Sequence, residues 1–269
     1  MSNKISVFCV VYNDFFSDSL TIKSFLDSIR KSNFKNVYFD LFVWDNSTLQ
    51  CFIDANAKFA DENRFTVFGN GRNNSLSVVY NKVIDLVDSD FICIFDHDSN
   101  VDMKYLNQVH NATFYPELTV AVPKVFSQLN LMYSPAKLGI VRGIHLSDIQ
   151  VGFHKDLTAI TSGTFINIPK LKASNVCFDE KLTLYGVDTL FFWTLSEKNV
   201  PIYVLDVKLS HDLSCFNNEP KDIKIKRLAN LRSSNLYFAK KRGRFYYILS
   251  FFYWFLVSLK KSLVNFFKV

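Results

Sequence analysis

The chain has 269 residues, 49% of them apolar and 21% charged, which excludes a disordered or fibrous protein and fits one sizeable globular body. The net charge of +6 is unevenly placed: nine Lys or Arg stand against the single acid Asp222 between Lys221 and Arg244, and Lys260, Lys261 and Lys268 follow, leaving the preceding residues net acidic. A basic end on an acidic body argues against wrapping nucleic acid and suits an anionic membrane surface.

The apolar run Ile5 to Tyr12 predicts a first strand; it is short and closes at Asn13-Asp14 without a small-residue cleavage site, which argues against a signal peptide. Further strands are expected over Tyr38 to Trp44, Arg64 to Phe68 and Phe91 to Phe95, and helices over Ser17 to Ser32, Leu49 to Ala60 and Ser77 to Leu86. This alternation predicts a doubly wound α/β sheet, and strands apolar on both faces predict helices covering both. Five cysteines, odd in number and without C-x-x-C spacing, read as reduced thiols of a cytoplasmic protein.

In such sheets ligands bind beyond the carboxyl ends of the strands. Those ends carry Asn13-Asp14, Asp45-Asn46-Ser47, Gly69 to Asn74 and Asp96-His97-Asp98, so four polar segments are expected to converge on one crevice. No G-x-G-x-x-G follows the first strand and no P-loop is present, which excludes support for a dinucleotide oxidoreductase or a P-loop nucleotidase. Asp96 and Asp98 offer two hard oxygen ligands, the chemistry that holds Mg²⁺ or Mn²⁺ against a substrate diphosphate. Asp also ends strands and opens turns, a reading that needs no metal.

Phe245 to Leu259 is an uncharged run of fifteen residues, about 22 Å as a helix and short of the ~30 Å bilayer core. Tyr247, Ser250, Trp254, Ser258, Lys261, Asn265 and Lys268 recur at steps of three and four, which predicts a polar stripe on an otherwise apolar, aromatic helix. That pattern suits a helix lying in a membrane interface. Packing on the body, or forming a homodimer, is the alternative.

The ordered motifs resemble the GT-A-fold, inverting family-two glycosyltransferases, in particular the bacterial rhamnosyltransferase-like members that build surface polysaccharides (O-antigen or capsule). The resemblance runs over roughly residues 4 to 215. Val10-Val11-Tyr12-Asn13 resembles the family's first-strand signature, and Asp45-Asn46-Ser47 its "DNS", whose Asp contacts the nucleotide base. Asn73-Asn74-Ser75 through Asn81 is similar to the stretch that closes over the donor, without the usual Gly. Asp96-His97-Asp98 stands where the family carries its D-x-D metal motif. Thr161 to Phe165 resembles the segment lining the sugar pocket, Phe178-Asp179-Glu180 the "FDE" before the catalytic helix, and Tyr185-Gly186-Val187-Asp188-Thr189 the "Y-V-D-T" that nominates Asp188 as general base. His211, in Ser210-His211-Asp212, matches a family His that completes the metal site. Read without the family, Asp188 is a helix cap before Thr189 to Lys198, and His211 a structural imidazole.

Where relatives carry an Arg and later a Gly after the catalytic Asp, this chain has Trp193-Thr194 and Asn199. The Q-x-x-R-W signature of processive synthases is absent, so one sugar per cycle is expected. The resemblance therefore implies a GT-A α/β domain over about 1–220, its nucleotide-sugar half ending near residue 100, followed by basic, aromatic membrane-associating helices over 221–269. Phe126 to Lys155, with weak periodicity, three glycines and a proline, is expected to be a mobile loop over the acceptor. The implied cofactors are Mn²⁺ or Mg²⁺ and a UDP- or dTDP-sugar, held by Tyr12, Asn13, Asp45, Asn74, Asn81, Asp96, His97 and Asp98. The implied acceptor is a polyprenyl-diphosphate-linked sugar, at the cytoplasmic face of the bacterial inner membrane. A sugar nucleotidyltransferase, and a membrane-bound nucleotide-sugar-binding protein without turnover, are the alternative readings.

Overall fold

The computed structural model describes residues 3–127, 131–141, 143–210 and 221–266. In chain order the first half is β1 (Asn3–Val11), α1 (Leu20–Arg30), β2 (Val37–Asp45), α2 (Gln50–Asn63), β3 (Thr66–Gly69), α3 (Leu76–Leu86), β4 (Phe91–Asp96) and α4 (Met103–Ala112). Each expected strand and helix of this half is present. The first helix is shorter than its periodicity suggests because Ser19, rather than Ser17, takes the cap: its hydroxyl accepts from the Ile22 N–H.

The second half runs β5 (Val120–Phe126), β6 (Met132–Ser134), β7 (Ala136–Lys137), β8 (Ile144–His145), β9 (Gly152–His154), β10 (Leu157–Thr158), β11 (Thr164–Asn167), α5 (Ile168–Ala173), α6 (Val187–Glu197) and β12 (Ile202–Ser210). The large sheet has the order β3-β2-β1-β4-β11-β5-β12-β9, with β6 pairing β5 beside this path; β10-β7-β8 form a small second sheet. β1 to β4 are mutually parallel, β11 runs antiparallel between β4 and β5, and β12 returns parallel to β5. The stretch expected to be a loop over the acceptor instead contains β6 to β9, held by pairing with β5, β10 and β12. Strands of two or three residues are too short to leave a period in the sequence.

The apolar strands are covered on both faces. Along β1, Ile5, Val7, Cys9 and Val11 enter one core with Ile22, Phe95 and Tyr105, while Phe8 enters the other with Val79, Ile92 and Phe191. The parallel register then levels the strand ends: Val11 pairs with Asp45, Val10 with Asp96, and Asp45 with Gly69. A Cβ at Gly69 would meet the Asp45 carbonyl oxygen at 2.7 Å, so this edge of the crevice admits only glycine without a shift.

The chain ends in α7 (Lys221–Arg242) and α8 (Arg244–Phe266), which pack on each other after a break at Gly243, whose φ is +122°. α7 lies against the body: Phe238 and Ala239 are buried, and the Phe238 ring meets Trp193 edge-on at 5.6 Å. Trp193, which stands where the resemblance expects Arg, is thus taken up in this packing. Among the described residues no helix is long and apolar enough to cross a membrane.

Candidate active site

The crevice is assembled from strand ends that are tied to one another by side chains. Asn13, at φ +46°, receives a hydrogen bond from the Thr48 N–H (2.9 Å), and its own N–H donates to the Ser47 hydroxyl (2.9 Å). Asn is among the few side chains that tolerate this left-handed backbone. Tyr12, immediately before it, projects its ring from the end of β1 with 50% of its surface exposed. Asp45 is only 5% exposed; one carboxylate oxygen accepts the Ser47 N–H (3.0 Å) and the other the Asn56 side-chain amide (3.1 Å). Asn56, from α2, also binds the Phe16 N–H (2.8 Å) and the Asp14 carbonyl (3.0 Å).

Buried Asn46 does for the third segment what Asn56 does for the first. Its amide donates to the Asn73 side chain and the Asn74 carbonyl (both 2.9 Å), and its oxygen accepts the Asn74 N–H (2.8 Å). The loop bearing Asn73 and Asn74 is therefore anchored to β2 before α3 begins.

Asp96-His97-Asp98 leaves β4 as a turn braced from two sides. The His97 carbonyl accepts the Thr21 N–H (3.2 Å) and the Ser19 hydroxyl (2.8 Å), while the Ser99 N–H donates to the Thr21 hydroxyl (3.0 Å). From the other side the Ser162 hydroxyl accepts the Asp96 N–H (3.2 Å) and shares a 2.6 Å hydrogen bond with Ser99. The Thr161 to Phe165 segment is thus a buttress of the acidic turn. Its Gly163 has φ +80°, and a Cβ there would lie 2.6 Å from both Leu209 and Pro123. Asp96 and Asp98 are half-buried; the exposed His97 ring stands 3.9 Å from the Asp14 carboxylate.

Asp188 reaches the same place from the second half. α6 begins at Val187 with Gly186, at φ +77°, in the cap position, so Asp188 lies inside the first turn rather than capping the helix. One Asp188 carboxylate oxygen accepts the Thr189 N–H at 2.7 Å. Burial raises its proton affinity above that of an ordinary Asp, the Thr189 hydrogen bonds oppose this, and the charge of Asp96 adds to the rise. Tyr80, 2% exposed on α3, is pushed up by burial and then by Asp96 and Asp188, so it lies within the field of both acids.

α3 joins the halves. The Asn81 side chain accepts the Phe178 N–H (3.0 Å) and donates to the Phe178 carbonyl (2.9 Å) and Glu180 carboxylate (3.0 Å), and the Leu76 N–H donates to the Thr183 carbonyl (2.9 Å). The segment leading to Asp188 is therefore sewn to the helix that follows the Asn73-Asn74 loop. At the far end of α6, Asn199 adopts φ +55° and supplies the left-handed residue for which Gly is usual.

Asp45, Asn74, Asp96 and Asp98 thus stand at the strand ends with Tyr12 and Asn13, Asp188 feels the charge of Asp96, and Asn81 acts on Phe178 and Glu180. His211 lies outside the described residues. Among the described residues no group of three His, Cys, Asp or Glu is disposed to hold a metal. Two carboxylates on a braced turn nonetheless fit a hard cation whose remaining positions are filled by water and substrate phosphate oxygens. Asn56 escaped the sequence reading; its only signal is an amide in phase with Ala60 on the buried face of α2, where Asn is a poor helix former.

No protein-family model matches the chain, and no curated protein matches it. Among solved structures it is similar to GalNAc-T7, crystallised with UDP, GalNAc and Mn²⁺, at TM-score 0.66 and 10% identity over 89% of this chain and 48% of that one. It is also similar to TarS of S. aureus, at TM-score 0.56 and 16% identity over 88% of this chain and 39% of that one, and to residues 1–349 of TarS at TM-score 0.54, 16% identity, 88% and 73%. The chain spans about half or less of the first two. At these identities the likeness is one of fold, and the fold is GT-A: a mixed α/β architecture around a large, mostly parallel sheet.

Proposed function

We propose that the protein is an inverting, metal-dependent glycosyltransferase that moves one sugar from a nucleotide-sugar to a lipid-linked oligosaccharide, in the manner of bacterial O-antigen or capsule synthesis. The single observation that carries this reading is that Asp188, at the start of α6, has its proton affinity raised by burial and by the charge of Asp96 at the end of β4 within a GT-A fold, which supports a basic carboxylate near the acidic turn. UDP and Mn²⁺ in the GalNAc-T7 structure support a nucleotide-sugar donor and a divalent cation here.

In this reading Asp45 would hold the base, Tyr12, Asn13 and Asn74 would line the donor, and Asp96 and Asp98 would hold the ribose–diphosphate and, with His211, Mn²⁺ or Mg²⁺. Such a cation, when bound, offsets the negative charge that builds on the departing diphosphate. Asp188 accepts the proton of the acceptor hydroxyl as that oxygen attacks the anomeric carbon, and the bond to the diphosphate breaks on the opposite side. A carboxylate in a desolvated site is a better proton acceptor than one in water, which is the use of its raised affinity. Inversion in one displacement needs no covalent sugar–enzyme intermediate, and one base suffices.

The aromatic face of α8 and the cationic end of the chain support peripheral attachment to the cytoplasmic face of the inner membrane, where a polyprenyl-diphosphate-linked acceptor would be presented. The test is transfer to a lipid-linked acceptor extract with anomeric configuration read by NMR. Retained configuration, or nucleotide binding without transfer in every condition, would displace the reading in favour of another mechanism or of a binding protein.

A further inference from the structure

α8 is two-faced, with Ser250 and Trp254 of its polar stripe turned inward and Tyr247 and Ser258 exposed. Tyr246, Leu249, Ser250, Tyr253, Trp254 and Val257 recur at steps of three and four and are shielded, with Ser250 wholly buried. The opposite face is open: Phe245, Ile248, Phe252 (58% exposed), Phe255, Leu256 (63%) and Leu259. This apolar face adjoins exposed Arg244 and Lys240, in a terminal segment whose one acid is Asp222. A second copy seated on the same face would set two cationic ends together, whereas an anionic lipid surface complements both the apolar face and the charge.

The shielded side is wired into the body. The Trp254 indole N–H donates to the Asn235 side-chain oxygen (3.0 Å), and the Asn235 amide donates to the Val141 carbonyl (2.8 Å), a continuous path from α8 through α7 to the loop between β7 and β8. Arg242 donates to the carbonyls of Gly139 (2.8 Å) and Ile140 (2.9 Å) in that same loop. Tyr237 donates to the Asp179 carboxylate (3.0 Å), which Lys241 also binds. Ser234 lies 3.2 Å from where a Cβ on Gly186 would stand, directly beneath the start of the helix that bears Asp188.

We infer that the α7–α8 hairpin couples an anionic lipid surface to the acceptor side of the site, α8 seating its aromatic face on the bilayer while Asn235 and Arg242 hold the 139–141 loop and Tyr237 holds Asp179. What is being positioned rests on the transferase reading; the coupling itself does not. α8 reaches that loop by side-chain hydrogen bonds through Trp254 and Asn235, so seating α8 orders the loop along this path.

The experiment is hydrogen–deuterium exchange of the full chain, without donor or acceptor, alone and with vesicles of phosphatidylcholine or of phosphatidylcholine mixed with phosphatidylglycerol. With the anionic vesicles exchange slows severalfold in α8 and, together with it, in residues 138–145 and 179–190. Asn235→Ala and the milder Trp254→Phe keep vesicle binding and the slowing in α8 but lose it in 138–145. Slowing confined to α8, equal slowing of the loop in both variants, or no binding to anionic vesicles would overturn the inference. Because no sugar transfer is measured, a chain inactive as a transferase gives the same readout, and the two readings fail separately.

Discussion

Asp188, in the first turn of α6, lies within the field of Asp96 at the end of β4, and that charge adds to burial in raising its proton affinity. Two carboxylates from opposite halves of the fold thus oppose each other's ionisation, a cost that a purely structural pair would not retain without return. The sign of the consequence differs for stability and for activity. A carboxyl whose folded pKa is raised stabilises the fold when protonated, and that contribution is lost as pH rises through the raised value. Asp188→Asn should therefore raise Tm at neutral pH, with the gain vanishing below the ordinary Asp value of 3.8. Transfer should fall by about 10²- to 10⁴-fold in the same variant, the usual weight of a general base. In the wild type the rate should fall as pH drops through the raised value. A variant both less stable and fully active would assign Asp188 a structural role only.

Asn56 holds the Asp45 carboxylate and the Asp14 to Phe16 loop with one side chain. Asn56→Ala strands buried polar groups on both, at a cost of about 1–3 kcal/mol in urea unfolding. Because Asp45 loses its orientation without leaving the site, the donor KM should rise more than kcat falls. Asn56→Asp sets a second carboxylate against Asp45 and should be the worse substitution on both counts.

Asn81 satisfies both backbone groups of Phe178. Asn81→Ala should cost about 1–3 kcal/mol of stability and lower kcat by loosening the segment that leads to Asp188, while leaving metal-free nucleotide affinity near that of the wild type. Parallel stability and nucleotide-binding titrations separate these effects. A large loss of nucleotide affinity with kcat intact would instead put Asn81 on the donor.

The first half was legible because most of its strands and helices are long enough to carry a period, and because polar residues follow each apolar run where a parallel sheet must open. Asp45, Asp96 and Asp98 could be singled out on that ground. β6 to β10 could not, since strands of two or three residues have no period and are fixed by pairing with other strands. The polar residues of α8 were readable as a stripe, yet the structure divides them: Ser250 is buried and Trp254 turns to α7, where Asn235 gives the indole a partner, while Tyr247 and Ser258 are exposed. Asn56 reads as an ordinary helix amide until the loops it holds are brought beside it, and Asn81, singled out through the family resemblance as a donor residue, gives no sign in the sequence that it holds Phe178.

The exposed face of α8 gives a test of membrane attachment that leaves the core untouched. Phe252 and Leu256 contact water, so Phe252→Glu with Leu256→Glu should leave the unfolding free energy within about 0.5 kcal/mol of the wild type while abolishing flotation with anionic vesicles. Each side chain removed from lipid forgoes roughly 1.5–3 kcal/mol, enough in the pair for more than a hundredfold weaker binding. Unchanged flotation would move the attachment elsewhere on the chain.

The central claim is that Asp96, Asp98 and Asp188 form one glycosyl-transfer site, and nucleotide release tests it most directly. UDP-, dTDP- and GDP-sugars are offered to the purified protein with a lipid-linked acceptor extract, in Mn²⁺, Mg²⁺ or EDTA, beside Asp98→Ala and Asp188→Asn. The account predicts release from one donor that requires the metal and is lost in both variants. Release that persists in EDTA, or in Asp188→Asn, would contradict it.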